Sequence, residues 1–324
     1  MNKIKKLILD CPVIFNLCRF IIDEYSTLKL KHFFKKYKKD PEGYIEKLKT
    51  KNKYKLIQEL KHNYRTFSAF YLNNVISLIL KCLIEGYIPI IQVETGLENN
   101  KIDIWNDLFK QPFDIKNVNC EIESSKISIF KPAFNYIYDS NKRKLWGEIY
   151  SEFLLLSDEM KKYSDDEFNN IISDKKVLGV ICRGTDYTRT KPKYHPIQPD
   201  VKDIINEAED IMKKYNYEFI YLATEDKKYY DEFILKFGAE KILTNSRKYY
   251  DKLYDKTRKN DFLYSVSFDR ENDDYLKGRE YLSSIILLSK CDSLIGGHCG
   301  GSDMAIYFNN CNYKYIHIFD CGTY

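Results

Sequence analysis

The chain has 324 residues, 44% hydrophobic and 31% charged, with a net charge of +5 and a mean hydropathy of −0.49. These values describe a globular chain long enough for two domains with sizeable cores, and they exclude a disordered or membrane-embedded one. The charge is uneven: seventeen Lys and Arg stand against seven Asp and Glu from Met1 to Arg65, so the remainder carries a net −5.

The basic first segment, residues 1 to 63, reads as helical with a break at Pro41-Glu42-Gly43. Its charge points to an anionic partner for that end alone. Nucleic acid is disfavoured, because no nucleic-acid module or RNP-like aromatic motif accompanies the charge. An anionic membrane surface or plain solubility remains. Leu7 to Ile22 is apolar, yet Asp10, Pro12, Asn16 and Arg19 interrupt it and it is too short to span a bilayer. Lysines flank it (Lys5, Lys6, Lys29 and Lys31), so it reads as a packed helix first and an interfacial one second. The segment lacks the clean apolar core and small-residue cleavage site of a secretory leader. The nine cysteines are widely spaced, with no CxxC pair and no histidine at zinc-ligand distance from one. The chain is therefore expected to be cytoplasmic and reduced, with peripheral contact at the inner face of the membrane open to its basic end. Cys299, in a glycine-rich turn, is the one thiol placed to be reactive.

Val75 to Ile84 is an amphipathic helical run, Gly86 its stop, and Tyr87 to Val93 a buried strand. Residues 95 to 145 are less regular, with a strand expected around Ile127 to Phe130. Trp146 to Leu156 reads as a helix, and polar, acidic residues 157 to 175 as a bridge. The expected division puts an acceptor-side α/β domain at 1–165 and a nucleotide-sugar-binding, Rossmann-like domain at 166–324.

The second half alternates cleanly. Val177 to Cys182 is an unbroken apolar run, the pattern of a strand buried on both faces. Arg183-Gly184-Thr185-Asp186 follow it, then a proline-punctuated loop to His195-Pro196. A helix over Asp200 to Tyr215 and a strand over Glu218 to Ala223 come next. Another helix ends near Phe237, and a short strand covers Glu240 to Leu243. Residues 244 to 276 are charged and irregular, the composition of a mobile loop over a site. Helix Arg279–Lys290, strand Asp292–Ile295, a glycine-rich turn Gly296–Ser302, helix Asp303–Phe308 and strand Tyr315–Phe319 complete the chain. This alternation predicts an α/β fold whose carboxyl-terminal part is a doubly wound parallel sheet.

Ligands of such sheets bind beyond the strands' carboxyl ends. Arg183 stands there, poorly suited to packing and well suited to an anion. The turn GGHCGGSDMA links a strand to a helix and matches neither the dinucleotide fingerprint nor a Walker A loop. It is either a phosphate cradle or a tight turn. Together, the guanidinium and the helix-start amides around His298, Gly300, Gly301 and Ser302 suit one pyrophosphate. Thr224, Glu225 and Asp226 either bind ribose or base, or cap the next helix.

VLGVICRGTD, the His195-Pro196-Ile197 tripeptide, IYLATED and LLSKCDSLIGG, in that order, resemble the GDP-fucose-dependent fucosyltransferases. The likeness is nearest to the α1,6-fucosyltransferases and looser to the protein O-fucosyltransferases, and it is confined to the carboxyl-terminal half. The resemblance implies a GT-B fold of two Rossmann-like domains, inverting and metal-independent transfer, and no cofactor beyond the GDP-sugar co-substrate. It gives Arg183 the donor β-phosphate and matches Thr185, Asp186, Thr224 and Asp226 to family positions, with Glu225 replacing an Asp. Four features depart. The family's His two positions before the arginine falls at Ile181, its acid after the T-D pair at Lys191, its guanine-contacting Asp at Ser284, and its Ser-Ser at Cys299-Gly300.

The expected function is transfer of fucose, or a related sugar, from a GDP-sugar to a glycan or lipid-linked glycan in surface polysaccharide synthesis. Catalysis would rest on Arg183, Asp186 and His195, with the base open between His195, Asp186 and a residue of the amino-terminal domain. Lys191 would meet an anionic acceptor or the donor phosphate. Two alternatives stand: an impaired homologue that only binds nucleotide sugar, and a transferase for another nucleotide sugar.

Overall fold

The computed structural model describes residues 12–58, 67–92, 94–95, 102–115, 121–124, 128–251 and 266–324. The chain divides into two compact units, each assembled from three separate stretches of sequence. One comprises 1–59, 73–92 and 113–136, the other 60–72, 93–112 and 137–324.

Helix α1 (Pro12–Tyr37) is followed by α2 (Pro41–Lys49), whose Asp40 cap accepts from Gly43 N at 2.9 Å. Residues 54–58 were expected to be helical but form strand β1 (Tyr54–Gln58). Asn52 takes a left-handed turn (φ 49°) that stops α2, and Leu56 then pairs with Ile90 and Ile122 on either side. Sheet neighbours thus override a neutral local propensity. Helix α3 (Ala69–Ile84) leads through Gly86 (φ 80°) to β2 (Ile88–Ile91). The short strands β3 (Glu94–Thr95) and β4 (Ile102–Asp103) and helix α4 (Ile104–Leu108) come next. Strand β5 (Glu121–Ser124) completes a parallel sheet of order β2-β1-β5. The strand expected at 127–130 is not formed over 128–130, and Ile127 lies outside the described residues.

Helix α5 (Ser140–Phe153), capped by Asp139, starts six residues before the expected Trp146. The expected polar bridge is helix α6 (Asp158–Ile171). Ser157 caps it, Asp158 and Glu159 complement its amino-terminal dipole, and Met160, Ser164 and Glu167 form its buried stripe. Both helices belong to the second unit. There Glu167 accepts from Ser246 N (2.9 Å) and from the Ser283 hydroxyl.

The core of the second unit is a five-stranded, wholly parallel sheet. Its strands are β6 (Val177–Cys182), β7 (Phe219–Thr224), β8 (Ile242–Leu243), β9 (Ser293–Gly297) and β10 (Tyr315–Phe319). They lie in the order β10-β9-β6-β7-β8, as a doubly wound sheet requires. Helices α7 (Thr185–Thr190), α8 (Val201–Tyr215), α9 (Lys227–Phe237), α10 (Asp273–Lys290) and α11 (Gly300–Asn309) connect them. One face packs Leu178, Val180, Leu222 and Ile295 against Ile204, Ala208 and Ile211 of α8 and Phe233 of α9. Helix α10 lies against β6 and β7. It begins six residues before the expected Arg279, because Asp273 accepts from Phe268 N (2.9 Å) and Arg270 Nε (2.6 Å). The expected irregular loop is described over 244–251 and 266–272, and 252–265 lie outside the described residues. No helix among the described residues is long and apolar enough to cross a membrane.

Candidate functional site

The chain builds this sheet outward from β6. It moves one way to β7 and β8, then returns to lay β9 on the other side of β6. The crevice between β6 and β9 is therefore the topological switch point, where α/β sheets take ligands. Ile181 pairs with Gly296 across it. Arg183 leaves one strand two residues later, and His298 leaves the other.

Arg183 is held by two carboxylates. Its Nη2 donates to Asp186 Oδ1 at 2.8 Å, and its Nη1 lies 3.4 Å from Glu225 Oε2. The guanidinium also covers the Tyr187 ring, 5.2 Å from its centroid. Burial opposes the charge, but Asp186 and Glu225 hold the guanidinium protonated well above its ordinary range. The expected loop after Arg183 opens as helix α7. Gly184 N and Thr185 Oγ1 donate to Glu225 Oε1 (2.9 and 3.2 Å), and the Thr188 hydroxyl donates to Gly184 O. Lys191 ends this helix in the left-handed region (φ 44°) and is exposed.

His195 sits beside this cluster, its ring edge-on to Tyr187 at 5.5 Å. Burial lowers its pKa below the ordinary value, although the Asp186 charge acts the other way. The imidazole is thus neutral near pH 7 and able to accept a proton. Two ties fix the loop that carries it. Gln198 Nε2 donates to His298 O at 2.8 Å. The chain end pairs with it through Tyr194 N to Tyr324 O, Tyr324 N to His195 O and Ile197 N to Gly322 O (3.1, 3.1 and 2.9 Å).

The three residues at the exit of β7, Thr224 to Asp226, divide. Thr224 and Asp226 engage the start of α9: Thr224 Oγ1 accepts from Asp226 N (3.2 Å), and Asp226 caps the helix through Lys228 N (2.9 Å). Glu225 alone turns to Arg183, and its carbonyl accepts from Tyr250 N at 2.9 Å.

In the glycine-rich turn, β9 runs to Gly297 and α11 begins at Gly300, three residues before the expected Asp303. Ser302 makes that early start workable, accepting from Cys299 N (3.0 Å) and donating to Cys299 O (2.7 Å). Gly296 has φ +149°, and a Cβ there would lie 2.1 Å from Ile181 O. A Cβ on Gly300 would lie 2.6 Å from Ala69 Cβ, so close packing already accounts for both glycines. His298 Nε2 lies 3.1 Å from Asp303 Oδ1, both buried; burial raises the Asp303 pKa while His298 lowers it.

Cys299 does not meet the expectation of a reactive thiol. It is buried, and burial raises its pKa against the pull of Arg183, which disfavours the thiolate. Ser284 is also buried and donates to Tyr281 O within its own helix (2.7 Å). Among the described residues no group of three or more His, Cys, Asp or Glu could hold a metal ion.

Tyr187, Tyr281 and Arg247 join the site without having been singled out in the sequence. The positive charges of Arg183 and Arg247 both act on the Tyr281 hydroxyl, which burial nevertheless pushes well above its ordinary range. Segment 245–250 is pinned at both ends, by Asn245 Nδ2 to Glu280 O (2.9 Å) and by Tyr250 N to Glu225 O (2.9 Å). No local pattern marks these residues, since 28 tyrosines dilute any aromatic signal and Arg247 lies in the irregular charged stretch.

No protein-family model and no curated protein matches the sequence. Solved structures do. POFUT1 in complex with GDP-fucose aligns with a TM-score of 0.50 at 9% identity, covering 83% of this chain and 98% of that one. NodZ α-1,6-fucosyltransferase co-crystallised with GDP aligns with a TM-score of 0.44 at 12% identity, covering 79% and 92%. The POFUT1 likeness shows the fold: this chain is GT-B-like, as the fucosyltransferase resemblance implied.

Proposed function

We propose that this chain is a glycosyltransferase that moves fucose, or a related sugar, from a GDP-sugar to a hydroxyl of a glycan or lipid-linked glycan. Its place is surface polysaccharide synthesis at the cytoplasmic side of the membrane. The observation that carries the reading is Arg183, a partly exposed guanidinium at the switch point of a sheet whose fold resembles a structure solved with GDP-fucose.

In this reading the acceptor oxygen attacks the anomeric carbon from the face opposite the diphosphate. The new C–O bond forms as the bond to the β-phosphate oxygen breaks, and the configuration inverts. The leaving diphosphate gains negative charge, which Arg183 meets with charge and paired N–H donors. The amides of Gly300, Gly301 and Ser302 and the His298 ring supply further donors, while Gly184 and Thr185, bonded to Glu225, shape the donor-side turn that carries Arg183. Neutral His195 takes the acceptor proton. Asp186, bonded to Arg183, orients the guanidinium and acts on the His195 charge. Lys191 faces an anionic acceptor or the donor phosphate. Glu225 holds the Arg183 loop, while Thr224 and Asp226 shape the wall beside the ribose and base.

A second reading, a nucleotide-sugar-binding homologue without transfer, is favoured by two observations. Two carboxylates already answer the Arg183 charge, and Lys191 stands where the resemblance expects an acid. A panel of GDP- and UDP-sugars separates the readings by binding and by slow donor hydrolysis. GDP-fucose binding with GDP release supports transfer, and tight GDP binding without release supports the second reading. Release from a different nucleotide sugar reassigns the donor. Binding to no nucleotide overturns both.

A further inference from the structure

Helix α1 is apolar on two opposite sides. Ser26, Leu30, Phe34 and Tyr37 are buried, and Thr27 Oγ1 lies 2.9 Å from the Tyr136 hydroxyl, so this side packs within the first unit. At 3.6 residues per turn, Ile14, Leu17, Ile21, Tyr25 and Leu28 fall within an arc of about 80° on the other side. They are 38–65% exposed; Phe20, also exposed, lies about 60° beyond one end of the arc. A stripe of large apolar side chains this long is rarely left in water without a use. The same face becomes basic toward the carboxyl end: His32, Lys35 and Lys36 continue the arc, with Lys29 and Lys31 at its margins, all exposed.

We propose that this face of α1 docks flat on an anionic lipid surface. The apolar half reaches the boundary between headgroups and acyl chains, and the lysine half meets the headgroup charge. Lysine stems lie along apolar surface while their ammonium groups stay in water, so both halves engage one plane. Charge selects this occupant over a second copy of the chain, since self-pairing buries the stripe but gives the lysines too little counter-charge. Asp23 and Glu24 are the acidic residues within the helix. The sequence ranked a packed helix above an interfacial one. The structure packs one side of α1, and the proposal gives the interfacial role to the other.

The test is flotation of the full chain with vesicles of phosphatidylcholine alone and with about one-third phosphatidylglycerol. Binding is expected only to the anionic vesicles and is expected to weaken as salt rises. Leu17→Glu/Ile21→Glu and Lys35→Glu/Lys36→Glu should each lower partitioning about tenfold or more. Both pairs are exposed, so an unchanged urea midpoint controls for folding. Nucleotide binding by the same variants should stay at the parent level, which keeps this proposal separate from the donor-site reading. No binding to anionic vesicles at low salt overturns the proposal, as does binding that neither variant weakens. Dimerisation in lipid-free buffer that Leu17→Glu abolishes also overturns it, because a second copy would then own the face.

Discussion

Glu225 is the residue against which Arg183 is built. Its Oε2 lies 3.4 Å from the guanidinium Nη1, while its Oε1 accepts from Gly184 N and Thr185 Oγ1 at 2.9 and 3.2 Å. One carboxylate, 1% exposed, thus fixes both the charge and the backbone turn that carries it.

Glu225→Ala should therefore cost about 2 to 4 kcal/mol, because it leaves the Gly184 and Thr185 donors without an acceptor and takes from Arg183 one of its two carboxylates, Asp186 staying in place. Glu225→Gln keeps an acceptor oxygen and should cost less. Urea unfolding of the two variants measures the difference. Equal losses would show that the contacts to Gly184 and Thr185 contribute nothing.

Arg183→Ala should lower donor turnover by a factor on the order of 100 to 1,000, the scale of losing one charged donor to developing charge. It also leaves Glu225 buried without its cation. The double variant Arg183→Ala/Glu225→Gln should recover most of the lost stability and none of the activity. Recovery of activity in the double variant would remove Arg183 from the chemistry.

His195 sets a pH dependence with a definite sign. Burial lowers its folded-state pKa below 6.5, so the folded chain binds fewer protons than the unfolded one in that range. Stability contributed at this residue rises with pH through the window below 6.5 and is lost as pH falls through it. kcat/KM should rise along a limb with an apparent pKa below 6.5 and level off near pH 7. His195→Gln should remove that limb and slow transfer about 100-fold or more. A limb that persists in the variant would place the base elsewhere.

Gly296→Ala should unfold the second unit or cost more than about 3 kcal/mol, since the new methyl meets Ile181 O at 2.1 Å in a backbone region closed to L side chains. Gly322→Ala is the control. Its φ is +83° but nothing lies within 4 Å of a Cβ there, so about 1 kcal/mol is expected. Thermal melts of the pair separate packing from backbone strain.

The sequence by itself determined the alternation of strands and helices after Lys175, because each element carries its own period. The apolar run Val177–Cys182 became the central strand, and Asp200 and Asp226 became helix caps as their types require. It also placed Arg183 at a strand's carboxyl end. Local pattern failed where partners lie far along the chain. Strand β1 owes its state to β2 and β5, and α6 to a buried face that a polar composition concealed. Only the tertiary structure laid β9 beside β6 and so put Arg183 and the glycine-rich turn on one crevice. Only it turned Glu225 inward while Thr224 and Asp226 went to the helix cap. The physical reason is common to both. Strand order and side-chain pairing across a sheet follow from the path of the crossovers and the packing they bury, and neither is written in any one stretch of the chain.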